Sequence, residues 1–238
     1  MNIYETKPIG EIISGNPYVG RGIIVGKTPD GKRAVTAYFI MGRSENSRNR
    51  IFKEVGETVK IYPFDANKAG DPTLIIYSPV RRFKNKLIVT NGNQTDTIYN
   101  FLTTGRSMSQ ALDTRGFEPD APNFTPRISA VLSFDKKYTY ELAILKSADE
   151  KGSACNKYVF SYPSLNGLGH FIHTYNTDGN PIPTFTGEPK RVAIPDDIDE
   201  FTEDIWNNLD ESNKISLYVR YIDLKTMEEE NRLINKNK

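Results

Sequence analysis

Two β-rich runs, Tyr18–Lys27 and Arg33–Met41, flank Thr28-Pro29-Asp30-Gly31-Lys32, and this pairing constrains the fold more than any other feature of the chain. Proline presets φ for a turn and glycine accepts a positive φ, so the two runs double back as a hairpin. Further strands are predicted at Thr58–Tyr62, Thr73–Tyr77, Lys86–Val89, Arg127–Ser133, Tyr138–Leu145, Lys157–Ser161, Gly169–Tyr175 and Lys214–Asp223. Helices are predicted at Gln94–Leu102, from Ser107 to near Gly116 behind a Ser107-Met108-Ser109-Gln110 capping box, and at Ile198–Leu209. Many strands with helices gathered in blocks indicate an α+β chain with mostly antiparallel sheets. One domain over residues 1–238 is expected. Residues 1–17 form a leader closed by Gly15-Asn16-Pro17, and 227–238 a charged tail read as a frayed helix.

Charge narrows the function classes. Lys+Arg 31 against Asp+Glu 30 leaves a net charge of +1, so no general attraction to nucleic acid or membrane is expected. No stretch approaches the ~18 apolar residues of a membrane span, and the first residues lack a secretory pattern. A cytoplasmic address follows by default. Cys155 is the only cysteine, which excludes an internal disulfide and any multi-cysteine metal site. The phosphate-loop and nucleophile-elbow patterns are absent.

Against this neutral background, Gly42-Arg43-Ser44-Glu45-Asn46-Ser47-Arg48-Asn49-Arg50 concentrates three guanidiniums. Guanidinium forks grip phosphate or carboxylate oxygens in pairs, so the segment reads as an anion-binding loop for the phosphate of a small ligand. Arg48 and Arg50, two apart on a strand, face one side, and Arg43 folds back toward them. Arg21, on the neighbouring hairpin strand, is within reach of the same place. The plainer reading is a solvated hairpin end whose arginines pair with Glu45 or Glu54.

Three other segments carry polar groups in suggestive places. Thr90-Asn91-Gly92-Asn93-Gln94-Thr95-Asp96 joins a strand to a helix, where free amides meet a ligand or are simply capped by Asn93 or Thr95. Phe117-Glu118-Pro119-Asp120-Ala121-Pro122-Asn123-Phe124-Thr125-Pro126-Arg127-Ile128 is stiffened by three prolines. Its Glu118 follows an aromatic residue, a setting that raises a carboxylate pKa and suits it to proton transfer. The only histidines, His170 and His173, lie on a strand-like run, where alternation sends them to opposite faces and denies them a shared metal.

Tyr18-Val19-Gly20-Arg21, Val25-Gly26-Lys27-Thr28, Arg43-Ser44, Asn49-Arg50, Thr90-Asn91-Gly92, Thr95-Asp96 and Thr125-Pro126-Arg127-Ile128 together resemble the archaeal-type IMP cyclohydrolase family in order and spacing, over roughly Tyr18–Leu132. The region after Lys151 looks like a bacterial branch of that family. The resemblance implies a four-layer αββα sandwich like that of N-terminal-nucleophile hydrolases. It also implies ring closure of 5-formamidoimidazole-4-carboxamide ribotide (FAICAR) to inosine monophosphate (IMP), with release of water. Tyr77 and Glu118 fall at the family's pocket tyrosine and glutamate and are assigned the proton-handling roles, with acid and base left open. Arg43, Arg48 and Arg50 match its arginine-rich loop, with Arg21 a helper. Asn91, Thr95 and Asp96 match its strand-to-helix segment, and Arg127 joins Asn91 in positioning the substrate. No cofactor or metal is expected, the partner is a purine nucleotide, and homo-oligomeric assembly is a family-level expectation. The competing readings are a non-catalytic binder of a phosphorylated metabolite and a true N-terminal-nucleophile amidohydrolase, which needs Cys, Ser or Thr at its mature start.

Overall fold

The computed structural model describes residues 4–68 and 77–237. The predicted hairpin is present: β1 (Arg21–Lys27) and β2 (Arg33–Met41) pair antiparallel from Arg21↔Ile40 to Lys27↔Ala34. Its turn is closed by Gly31 at φ +74° and by Asp30, whose carboxylate accepts from the Thr28 hydroxyl at 2.6 Å and the Lys32 amide at 2.9 Å.

Two sheets are built around this hairpin. The remaining strands are β3 (Ile51–Val55), β4 (Thr58–Tyr62), β5 (Val80–Phe83), β6 (Lys86–Thr90), β7 (Arg127–Ser133), β8 (Thr139–Ser147), β9 (Cys155–Pro163), β10 (Leu168–His173), β11 (Lys190–Ala193), β12 (Lys214–Asp223) and β13 (Glu229–Asn235). One sheet has the order β11-β10-β1-β2-β12-β13 and the other β3-β4-β5-β6-β7-β8-β9. Among the described residues, every pair of named strands is antiparallel. Alternation along the strands then fixes three apolar layers. Ile23, Tyr38 and Ile172 of the first sheet meet Ile61, Leu87 and Leu142 of the second between the sheets. On the outside of the first sheet, α1 (Ile9–Ile13) and α5 (Ile198–Asn208) pack Ile13, Phe201 and Ile205 onto Phe39 and Leu217. On the outside of the second, α3 (Gln94–Thr103) and α4 (Met108–Leu112) pack Ile98 and Leu112 onto Ile88 and Val131.

The structure corrects several expectations. The leader is part of the fold, since Ile9 and Ile13 are buried and the Gly10 amide donates to Asp204 at 2.9 Å. The tail is a strand and not a helix: Glu229–Asn235 pairs with β12, where Glu229 reaches Arg220 at 3.0 Å and also pairs with Arg82. α4 opens on the predicted Ser107–Gln110 box but ends at Leu112, short of Gly116. β3, β5, β11 and α1 were not anticipated, and residues 73–76 of one predicted strand lie outside the described residues.

The histidines sit on opposite faces of β10, both buried. His170 Nδ1 lies 2.7 Å from the Tyr140 hydroxyl, and His173 Nδ1 lies 2.7 Å from the Tyr175 carbonyl. Burial, reinforced by Arg191, lowers His170 to about 4; burial, reinforced by Lys190, lowers His173 to about 3. Below an unfolded value near 6.5 the unfolded chain therefore takes up protons first. Stability is full above pH ~6.5 and falls as pH drops toward these folded values, by on the order of a few kcal/mol. Urea unfolding between pH 7 and pH 4 measures the slope, and His173→Asn should reduce it by about one proton.

Candidate active site

A cavity of about 230 Å³, open to solvent, is lined by Arg50, Tyr77, Gly92, Asn93, Glu118, Pro119, Asp120 and Arg127. Its floor is the junction between β6 and α3, and Asn91 holds that junction to β7. Buried in the fold, the Asn91 side-chain oxygen accepts from the Ile128 amide at 2.9 Å and from Gln94 Nε2 at 3.0 Å. Its amide nitrogen donates to the Pro126 carbonyl at 2.9 Å. A buried polar side chain satisfied on both atoms stiffens what it joins. Asn91→Ala is expected to cost about 2–4 kcal/mol in urea unfolding, because it strands several buried partners at once.

Arg127 continues the same network into the cavity. One of its terminal nitrogens donates to Gln94 Oε1 at 2.9 Å and lies 3.7 Å from Glu118 Oε1. Gly92 makes this possible: a Cβ there would lie 2.5 Å from that nitrogen and 2.6 Å from Gln94 Oε1. Gly92→Ala should therefore push Arg127 off Gln94 and lower kcat/KM by roughly 10-fold or more, with the thermal midpoint little changed, because only flexible side-chain ends have to move.

The electrostatics are those of crowded cations beside two carboxyls, Glu118 and Asp120. Burial raises Glu118 above the usual carboxylate range, opposed by Arg127 and Arg21. Burial likewise raises the Tyr77 phenol, opposed by Arg21 and Arg50; its hydroxyl lies 3.0 Å from that of Tyr38. Arg50 is lowered by burial and then by its like-charged neighbour Arg21, and its Nε is buried with no partner among the described residues. For Arg21 burial acts to lower the guanidinium, but Tyr18, Tyr77, Tyr38 and Glu118 together raise it further. Arg50 and Arg127 wall the cavity opposite the carboxyls of Glu118 and Asp120, and the guanidinium forks can hold an anion there.

The residues singled out in the sequence divide accordingly. Arg50, Tyr77, Glu118 and Arg127 come together in the cavity, Arg21 stands behind it, and Asn91 braces its floor. Arg43 and Arg48 are not among its lining residues. Arg43 pairs with Asp178 and donates to the Gly179 carbonyl at 2.9 Å, and Arg48 donates to the Gly42 carbonyl at 3.1 Å and to Asn213 at 2.9 Å. Nor does Arg48 share a strand with Arg50: Ser44 and Ser47 form a capping box that winds Glu45–Arg48 into one helical turn, α2. Glu45 pairs with Lys68, and Glu54 accepts from Tyr218 and Asn231, so neither takes the arginines. The Thr95 hydroxyl is buried against Thr90 at 2.6 Å, while Asp96 pairs with Arg81 on the outer side. Sequence reasoning did not single out Asn93 and Asp120 as lining residues, although both fall in segments it marked, and nothing in the sequence marked Tyr38.

A family model described as IMP cyclohydrolase-like protein matches residues 18–227, which takes in every residue of the cavity. The chain belongs to the IMP cyclohydrolase-like family. It is 34% identical over 177 residues to the IMP cyclohydrolase of Methanocaldococcus jannaschii, covering 72% of this chain and 81% of that one. It is 36% identical over 165 residues to the IMP cyclohydrolase of Methanococcus maripaludis strain C7, covering 65% and 79%. To the IMP cyclohydrolase of Methanococcus aeolicus it is 30% identical over 162 residues, covering 66% and 74%. In this IMP cyclohydrolase-like chain no helix of the described residues is long and apolar enough to cross a membrane.

Proposed function

We propose that this chain is an IMP cyclohydrolase, closing the second purine ring by converting FAICAR to IMP with release of water. The observation that carries the reading is the meeting of Glu118 and Tyr77 in one cavity walled by Arg50 and Arg127, inside the stretch that matches the family. We read residues 1–238 as one domain and the helix–sheet–sheet–helix layering as that of the N-terminal-nucleophile hydrolases.

The reaction asks for three things. A phosphate needs fixed cations: Arg50 takes that role with Arg21 behind it, and Arg43 and Arg48 brace the loop that carries Arg50. The carboxamide nitrogen must be held against the formyl carbon. Orientation supplies up to roughly 7–11 kcal/mol in the best intramolecular cases and less for a substrate already joined in one molecule. Arg127 and the Asn91-braced floor set that alignment. Finally, an amide nitrogen is a weak nucleophile, so its proton must be removed while the formyl oxygen receives a hydrogen bond and then a proton. Glu118 and Tyr77 share this work. Ring closure with loss of water leaves every oxidation state unchanged, so the chemistry calls for no redox cofactor.

Mixing the purified protein with FAICAR and following the absorbance of the forming purine tests the reading. Turnover to IMP is expected. Tight binding of FAICAR without turnover would instead make the chain a binder of the nucleotide.

A further inference from the structure

Tyr38 lies in the layer between the sheets, paired on β2 with Ile23 of β1 and Tyr218 of β12, its ring stacked on Phe52 at 5.5 Å. It is 1% exposed, and among the described residues its hydroxyl has one hydrogen-bond partner, the Tyr77 hydroxyl at 3.0 Å. Tyr77 lines the cavity and Tyr38 does not. Only one of the two phenols can donate across this contact, and the surroundings decide which. If Tyr77 donated, the buried Tyr38 proton would be left with no acceptor among the described residues, a costly arrangement. If Tyr38 donates, the Tyr77 proton turns toward the cavity, where water or substrate accepts it, and both donors are satisfied.

The geometry points to Tyr38 as a positioning residue that makes Tyr77 the proton donor of the site and leaves Glu118 as its base. This rests on the ring-closing function proposed above. In the first step the carboxamide nitrogen attacks the formyl carbon, and Glu118 takes one proton from that nitrogen. The carbonyl electron pair moves to the formyl oxygen, which takes the Tyr77 proton. In the second step the new hydroxyl leaves as water with the proton from Glu118. The former formamide nitrogen returns its proton to the Tyr77 phenolate, which closes the C=N bond and restores both side chains. The transient phenolate accepts from Tyr38 and faces Arg21 and Arg50, all of which act to lower the Tyr77 phenol, while Tyr38 itself is held well above its ordinary value by burial.

A double-mutant cycle tests the role, read as kcat, KM and urea midpoint in Tyr38→Phe, Tyr77→Phe and the double variant. Tyr38→Phe should lower kcat about 10-fold with KM within about 2-fold, and the loss should vanish in the Tyr77→Phe background, because Tyr38 acts through Tyr77. In unfolding, Tyr77→Phe should lower the urea midpoint more than Tyr38→Phe, since it strands the Tyr38 proton, and the double variant should recover toward Tyr38→Phe. Full kcat in Tyr38→Phe, or an equal loss in both backgrounds, would overturn the positioning role. A Tyr38→Phe protein more stable than the parent would reverse the direction of the hydrogen bond. If the parent protein fails to cyclise FAICAR, the proposed function falls, while the unfolding arm still decides which phenol donates.

Discussion

Glu118→Gln should lower kcat by about 10²–10⁴-fold while KM changes by only a few-fold, the range a positioned base contributes. Glutamine keeps the shape and loses the ability to take a proton, so the loss belongs to the transition state and not to binding. Glu118 is partly buried at the cavity, where desolvation raises its pKa, and Arg127 at 3.7 Å is the foremost of the charges opposing the rise. A base must be unprotonated to act, so kcat should fall as pH drops through this raised value. Arg127→Met removes the charge that favours the carboxylate, so it should move the acid limb of the kcat profile to higher pH. A limb that stays in place, or moves to lower pH, would show that another group sets it. Steady-state rates between pH 4 and pH 9 for the three proteins supply the comparison.

Arg50→Met should raise KM about 30–100-fold, the 2–3 kcal/mol of a charge-assisted contact, with a much smaller effect on kcat. Its effect on stability should run the other way. Arg50 is partly buried, its Nε is buried with no partner among the described residues, and Arg21 is the like charge that adds to desolvation in lowering it. Removing one of two crowded cations relieves repulsion, so the urea midpoint of Arg50→Met should equal or exceed that of the parent. Binding sites that hold uncompensated charge for a ligand show this trade of stability for function. Arg48→Ala should behave differently, because Arg48 spends its donors on the Gly42 carbonyl and Asn213. It should lower stability slightly and affect KM only through the loop.

Strand pairing was the most legible part of the sequence, for a physical reason. Pro29 and Gly31 fix a turn locally, and the apolar runs beside it have no other way to bury themselves, so β1 and β2 appear where expected. β12 was equally plain, since all but the last residue of Lys214–Asp223 is buried. β13 was not, because its charged side chains hide the pairing that Glu229 makes with Arg220 and Arg82. The arginine segment shows the limit most clearly. Its composition announced an anion site, yet composition cannot say which guanidinium turns inward. A two-serine capping box rotates Arg48 away and leaves Arg50 facing the cavity. Tyr38 was invisible for the opposite reason: in sequence it is one more apolar residue of a strand, and only the packing of two sheets brings its hydroxyl to Tyr77.

A crystal structure of the protein with IMP bound puts the account to its most direct test. The expected complex has the phosphate on Arg50, and the newly closed edge of the pyrimidine ring within hydrogen-bond reach of Glu118 and the Tyr77 hydroxyl. IMP seated elsewhere, with the cavity between Arg50 and Arg127 left to solvent, would contradict it.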